Sequence, residues 1–531
     1  MKRLAQTEVA GLRNSEGGLP FLVSAILIIV VFFFLFGHTS LWYDEANYLV
    51  LSAAIKETGY PIWFWDPDVP KVFFNSPPGL LYFISILLKW VSSELFWLRA
   101  IYSALFVSIP FIALWVYIRK QNLSLFLLSV TALYFAVSNY FIMELVQIRM
   151  DLPLASLSFL ALLLVACVER KLKERAEPEE SKNQWLGLWL ALLALVSALS
   201  FLTKFQAVCL TGTLMLNVLV ARPDFCRLGS WLPLIAHLAG VAIGLLVLVF
   251  FVMSSPVEPG VHTLSSTFNN SLKRIFLVGG SGVSFLVTAR NVALMVILPA
   301  TVFAIACAAG SIDWRNDRLL RLCVLMAVVV VTFNLAVFRM PGGGDYYMIQ
   351  AAIPLGYILA RSYSSLFRVQ RATAILALVA LLTFHAVLNA VAGRGTGSLQ
   401  RWDHGVLDLV GAAGRQDTGS LVAANIAPYL QPEEILLLDD WEDQSRFIPY
   451  WLDRSDRYGY LFSMDPIRAE NLLQREGPRS VGALVFLGES YLARLASEEW
   501  SGVAAQLARH FVRAPQVGSA SDWTIYLRRR S

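Results

Sequence analysis

The sequence predicts an α-helical polytopic membrane protein of about 11 spanning helices, followed by a small α/β domain outside the membrane. Three observations carry this prediction. Of 531 residues, 57% are hydrophobic and only 15% are charged, whereas soluble domains carry roughly 25% charged residues. The apolar residues gather in runs of about 18 to 23, long enough to cross a hydrocarbon core of roughly 30 Å. After about residue 393 these runs stop and short alternating segments replace them. A formal net charge of +5 is too small and too scattered for a nucleic-acid surface, so no nucleic-acid partner is expected. None of the five cysteines is paired as CxxC, which leaves them as small hydrophobes.

The first run, Leu19 to Gly37, follows Lys2, Arg3 and Arg13. It is too long for a signal peptide and lacks a small-residue cleavage site. It therefore reads as an uncleaved first helix, with residues 1–18 in the cytoplasm. Further spans are expected near 95–118, 123–139, 151–168, 185–202, 205–221, 231–253, 291–309, 320–338, 347–361 and 372–392. The run Pro77 to Val91 has about 15 residues and reaches only about 22 Å, so it is placed along the surface. This choice puts Arg119 and Lys120, Arg170 to Arg175, Arg222 and Arg227, Arg315 to Arg321, and Arg361 to Arg371 on the cytoplasmic side, as the positive-inside rule requires. The mixed-charge run Glu169 to Lys182 is expected as a solvated loop.

The resulting division is a cytoplasmic N-terminus (1–18), a transmembrane domain (19–392) with an external loop at 38–94, and an extracytoplasmic α/β domain (393–531). That last part has 15 Arg, no Lys and 18 Asp plus Glu, a net charge of −3, which leaves +8 for the membrane part. Within it a helix is expected near Ala423–Leu430 and strands at Glu434–Leu438, Val481–Leu487 and Trp523–Leu527. The expected setting is the lipid bilayer of a bacterial inner membrane.

Charged residues collect on the external rim of this topology. Asp44 and Glu45 follow the first span in Leu41-Trp-Tyr-Asp-Glu-Ala-Asn-Tyr48. Ala46, Leu49, Val50, Ala53 and Ala54 then recur at helical spacing, with Asn47, Ser52, Lys56 and Glu57 on the opposite face, which describes an amphipathic interfacial helix. Asp44 serves such a helix as a cap or, half-desolvated, as a general base. Asp151 opens a span in Gln147-Ile-Arg-Met-Asp-Leu-Pro153, as a cap or as an acid converging with Asp44 on a cation or a sugar. Lys204, in Phe201-Leu-Thr-Lys-Phe-Gln206, either snorkels or holds a lipid-linked phosphate. Arg339 and the turn Pro341-Gly-Gly-Gly-Asp-Tyr-Tyr347 share this face, where consecutive glycines permit close backbone approach to a ligand. A lone His262 in the loop 254–289 is a weak metal candidate.

In this order the motifs resemble the glycosyltransferase family 39 type of the GT-C superfamily, which includes protein O-mannosyltransferases and lipid A aminoarabinose transferases. The residues that carry the resemblance are Asp44-Glu45 with Tyr48, Pro77-Pro78, Asp151, Thr203-Lys204, and Asp345-Tyr-Tyr347 with Pro354. They cover most of residues 19–392. The resemblance implies a GT-C fold and inverting transfer of a sugar from a polyprenyl-phosphate donor to a glycan, lipid or protein acceptor at the external interface. It implies Asp44 and Glu45 as the catalytic carboxylates, with Asp44 activating or orienting the acceptor as general base, and Asp151 as a ligand of the acceptor or of a cation. Lys204, assisted by Arg149 or Arg339, neutralises the leaving phosphate, and Tyr347 lines the donor site. A divalent metal on Asp44 and Asp151 is left open. The chain departs from the pattern at Asn75 and Ser76, where many members carry a basic residue, and at Asn47, which replaces an arginine.

Two rivals remain. A secondary transporter places ionisable groups at mid-membrane and often repeats its topology, whereas here the acids lie at one rim. An O-antigen ligase or polymerase, with a lipid-diphosphate donor, needs an external loop rich in Arg and His, which 254–289 is not.

Overall fold

The computed structural model describes residues 19–37, 43–64, 66–72, 77–91, 94–138, 141, 145–175, 185–220, 228–255, 282–337, 348–366, 371–392, 418–439, 448–487, 489–514 and 523–530. They fall into two compact units. One comprises 1–38, 99–250 and 268–413, and the other 39–98, 251–267 and 414–531.

The first unit is a helical bundle. Its helices are α1 (Leu19–Phe36), then, after α2 and α3 of the second unit, α4 (Leu95–Lys120), α5 (Leu125–Ala136), α6 (Asp151–Arg175), α7 (Leu186–Thr203), α8 (Val208–Val220), α9 (Leu228–Met253), α10 (Gly282–Ala308), α11 (Arg318–Val337), α12 (Ile349–Leu366) and α13 (Arg371–Ala392). Every expected span has a helix. Among the described residues, α4, α6, α7, α9 and α11 are each long and apolar enough to cross a membrane. Helix α6 is buried along almost its whole apolar stretch, and α12 likewise, so these two form the centre of the bundle.

Lipid-soluble helices gain little from the hydrophobic effect when they meet one another, so close packing and polar links hold them. Gly240 and Gly244 of α9 lie against Ala194 and Ala198 of α7. Small residues four apart on both helices bring the two backbones together. Nearby, His237 of α9 bonds Ser197 Oγ of α7 through Nδ1 (2.9 Å) and Thr211 Oγ1 of α8 through Nε2 (2.8 Å).

One expectation is overturned at the far end of α6. Glu169 to Arg175 continue the helix where a solvated loop was expected; 176–182 lie outside the described residues. Glu169 is drawn inward because Asn217 Nδ2 donates to its Oε1 at 2.6 Å and Arg321 Nη2 to its Oε2 at 2.7 Å. Arg321 Nε also donates to Asn217 Oδ1 at 2.8 Å, which closes a three-residue ring between α6, α8 and α11.

The second unit combines the first loop with the C-terminal part of the chain. Helix α2 (Tyr43–Thr58) leads to a small antiparallel pair, β1 (Ile62–Trp63) and β2 (Lys71–Val72), and then to α3 (Gly79–Trp90). With 12 residues, α3 reaches about 18 Å, well short of a bilayer core. Helix α2 buries Ala46, Leu49, Val50 and Ala54 as its periodicity requires. Ser52, expected on the solvated face, is buried as well.

The C-terminal elements are α14 (Thr418–Ile426), β3 (Ile435–Leu438), α15 (Ile448–Trp451), β4 (Tyr458–Tyr460), α16 (Pro466–Gln474), β5 (Val481–Leu487), α17 (Ser490–Leu495), α18 (Ser501–His510), β6 (Phe511–Arg513) and β7 (Trp523–Arg528). They form a five-stranded sheet of order β4-β3-β5-β7-β6. Strands β4, β3 and β5 are parallel, and β7 runs antiparallel to both β5 and β6. The all-apolar β3 (Ile-Leu-Leu-Leu) is buried throughout, as a strand covered on both faces must be. Helices α16 and α18 pack on this sheet through Leu472, Leu473, Val503 and Leu507.

Within this unit the first loop is fastened to the sheet domain. A Cβ on Gly459 of β4 would stand 2.6 Å from Pro67 Cδ, so the missing side chain is what admits the proline. Phe64 packs edge-on against Tyr458. Arg468 Nε meets Asp66 at 3.0 Å, and Arg475 grips Asp68 with two parallel bonds of 2.9 and 2.6 Å. Asp465 caps α16, accepting from the backbone N–H groups of Ile467 and Arg468, with Pro466 at the first position. Arg468 lies in the first turn of α16, and Arg475 follows its last residue as the C-cap, so the helix presents an arginine at each end to the loop.

Candidate functional site

Between α5 and α6 the chain passes through Leu145 to Met150 with almost no regular structure, yet all of Leu145, Val146, Gln147, Ile148, Arg149 and Met150 are buried. Irregular buried backbone in a membrane bundle needs other groups to satisfy it. Helix α4 supplies them from two consecutive residues. The Tyr102 hydroxyl donates to the Arg149 carbonyl, and Ser103 Oγ donates to the Leu145 carbonyl at 2.6 Å. One turn earlier on the same helix, the fully buried Arg99 donates through Nη1 to the Gly37 carbonyl at 2.9 Å, which fixes the end of α1.

This segment delivers a charged cluster. Asp151 is the first residue of α6 and is 2% exposed; a carboxylate there is favoured by the helix dipole. Lys204 Nζ lies 2.6 Å from Asp151 Oδ1, and Arg149 Nη2 lies 3.7 Å from Oδ2. Lys204 comes into reach because the backbone leaves the helical region there, at φ −162° and ψ 141°, between α7 and a 3-10 turn at Phe205–Ala207. Its ammonium turns inward, so the snorkelling alternative is excluded. Arg149 and Lys204 thus converge on one buried carboxylate, and cations of this kind are the groups that bind phosphate.

Of the residues singled out in the sequence, the structure thus joins Arg149, Asp151 and Lys204. Glu45 lies in α2 of the second unit and is fully buried. Asp44 is in the first turn of α2, while its side chain, and the residues Arg339, Tyr347 and His262, lie outside the described residues. Sequence reasoning missed Gln147. Its side chain is fully buried and neither amide atom has a hydrogen-bond partner among the described residues. A glutamine four positions before Asp151 was the available signal.

Among the described residues no group of three His, Cys, Asp or Glu side chains is placed to hold a metal. Asp151 pairs with an ammonium and a guanidinium, and the side chain of Asp44, its companion in the metal reading, lies outside the described residues.

No family model and no curated protein matches the chain. Solved structures do. ArnT from Cupriavidus metallidurans in the apo state superposes with a TM-score of 0.57 at 16% identity, covering 96% of this chain and 97% of that one. The same protein bound to undecaprenyl phosphate gives 0.58 at 17%, with the same coverage. The oligosaccharyltransferase of Archaeoglobus fulgidus gives 0.54 at 12%, over 94% of this chain and 73% of that one. The fold of this chain is therefore the GT-C fold that its motifs resembled.

Proposed function

We propose that this chain is a membrane glycosyltransferase that moves a sugar from a polyprenyl-phosphate donor to an acceptor on the external face of the membrane. The observation that carries this reading is the buried Arg149–Asp151–Lys204 cluster, in a chain with the fold of an enzyme crystallised with undecaprenyl phosphate. Asp44, by its place in the resembling motif, takes the proton of the acceptor hydroxyl. The acceptor oxygen attacks the anomeric carbon opposite the phosphate, and the new C–O bond forms as the bond to phosphate breaks. The electron pair leaves on the phosphate oxygen, where Lys204 and Arg149 stabilise it. Asp151 holds both cations in place, and Arg339 and Tyr347 complete the donor site.

The test follows loss of label from a sugar-labelled polyprenyl-phosphate donor in membranes carrying wild-type, Asp44→Asn or Asp151→Asn protein. Asp44→Asn is expected to reduce transfer at least a hundredfold, the lower range for removing a general base, and Asp151→Asn to reduce it through loss of the carboxylate that positions Lys204 and Arg149. Near-wild-type turnover by Asp44→Asn refutes the assigned mechanism.

A further inference from the structure

The end of the bundle away from Asp151 carries a second gathering of basic residues, and tryptophans accompany them. Helix α6 runs from Asp151 to Arg175, so Arg170 stands about 28 Å from Asp151 along its axis, close to the thickness of a hydrocarbon core. Helix α7 runs the other way, with Trp185 as its N-cap and Lys204 as its C-cap. Where the ends of α4, α6 and α7 meet, Lys120 Nζ lies 5.3 Å from the centre of the Trp189 ring. Arg119 stands over Trp115 at 5.8 Å, and Arg170 Nη1 donates to the Lys120 carbonyl at 3.5 Å. Helices α4 and α6 thus bring three cations to one edge of the bundle, and α7 meets them with an indole ring. Arg119 and Lys120 are exposed. Glu169, the acid beside Arg170 in the chain, is turned inward to Asn217 and Arg321.

Tryptophan and basic side chains at this depth face lipid head groups. A ring face engages one side of an ammonium, whose remaining N–H groups stay available to a phosphate. The ring also restrains the long lysine side chain, so less freedom is lost when a ligand arrives. Toward the middle of the membrane the surface below these cations is apolar. Ile112 and Val116 are exposed on α4, and Leu188, Leu195 and Leu199 form an exposed stripe on α7. A ligand complementary to both parts has an anionic head and acyl chains. The loop charges assign this end of the bundle to the cytoplasm, where anionic lipids attract basic residues. We infer that the ends of α4, α6 and α7 form a binding site for an anionic phospholipid, with Lys120, Arg119 and Arg170 around its phosphate and its chains along α7. The site is separate from the Arg149–Asp151–Lys204 cluster and stands independently of the reaction proposed above.

The test measures lipid retained by the purified full-length protein in native mass spectrometry, with phosphatidylglycerol and phosphatidylethanolamine of the same acyl chains as probes. A basic residue beside an anionic head group strengthens binding about fivefold. The wild type should therefore prefer phosphatidylglycerol by at least about tenfold. Arg119→Gln combined with Lys120→Gln should bring that preference below about threefold. Arg315→Gln is the control, since Arg315 also stands over a tryptophan, its neighbour Trp314 at 5.7 Å, but in the turn between α10 and α11. It should leave the preference unchanged. A loss with Arg315→Gln equal to that of the double variant reveals a diffuse basic surface and overturns the site, as does a wild type without preference. Complete displacement of phosphatidylglycerol by an equal amount of undecaprenyl phosphate gives the place to a different lipid and overturns it too. Should the double variant fail to fold, a photoreactive phosphatidylglycerol on wild-type protein decides the matter. Label in α4 and α7 supports the site, and label elsewhere overturns it.

Discussion

Replacing Lys204 by methionine keeps most of the side-chain volume and deletes its charge. At 2.6 Å and an effective dielectric constant of about 20, the attraction between ammonium and carboxylate is about 6 kcal/mol before desolvation is charged against it. Removing one member of a buried ion pair is measured at about 3–5 kcal/mol. Here Arg149 remains 3.7 Å from the carboxylate and still balances its charge in Lys204→Met. Its loss of stability should therefore fall lower, at about 1–3 kcal/mol. Asp151→Asn is the harsher change, because it removes the carboxylate that both buried cations share, and it should cost the full 3–5 kcal/mol. The double variant leaves one cation and should cost less than the two single losses added together, by at least about 1 kcal/mol. Unfolding of the four proteins in detergent measures this cycle. Equal single losses that add to within about 0.5 kcal/mol, the tolerance for independent sites, would refute the electrostatic account of the cluster.

Two further outcomes follow from packing and pH. Gly240→Ala forces a methyl onto the Ala194 carbonyl and should cost about 1–3 kcal/mol by overpacking; Gly244→Ala meets the Phe201 ring at 3.0 Å, a side chain able to turn aside, and should cost less in the same unfolding assay. The Arg475 guanidinium holds the Asp68 carboxyl below its ordinary value. The folded-state pKa being depressed, that stabilisation is complete above about pH 4, the ordinary aspartate value, and fades as the pH falls through the depressed one. With both side chains about a third exposed, it is worth under about 1 kcal/mol. Hydrogen exchange of residues 62–72 should speed up below pH 4 in the wild type and lose that pH dependence in Arg475→Gln.

Much of this arrangement is visible in the sequence because the signals are local. Asp151 opens an apolar run and Lys204 interrupts two, so both announce helix ends, and helix ends are where the bundle gathers its charges. The strands Val481–Leu487 and Trp523–Arg528 match the expected segments almost residue for residue, since apolar runs between turn residues have one economical reading. Residues whose partners lie far away gave no such signal. Tyr102 and Ser103 look like ordinary polar residues within an apolar span until they meet carbonyls 47 and 42 positions on. Glu169 sits in a charge-rich run that resembles any solvated loop, and Asn217 and Arg321, 48 and 152 positions away, explain why it turns inward. Ser52, assigned to the solvated face of its helix, is buried because tertiary packing prevailed there.

The grip of Arg475 on Asp68 joins residues 407 positions apart, and this separation has a meaning in time. At synthesis rates of roughly 5–20 residues per second, the loop bearing Asp66, Pro67 and Asp68 waits on the order of 20–80 s before its arginines exist. During that interval Phe64, buried in the finished fold, has no Tyr458 ring to pack against. The nascent chain therefore carries an adhesive segment through most of its own synthesis, and mutations that merely slow the closing of this unit should expose it to proteases before they change any property of the completed protein.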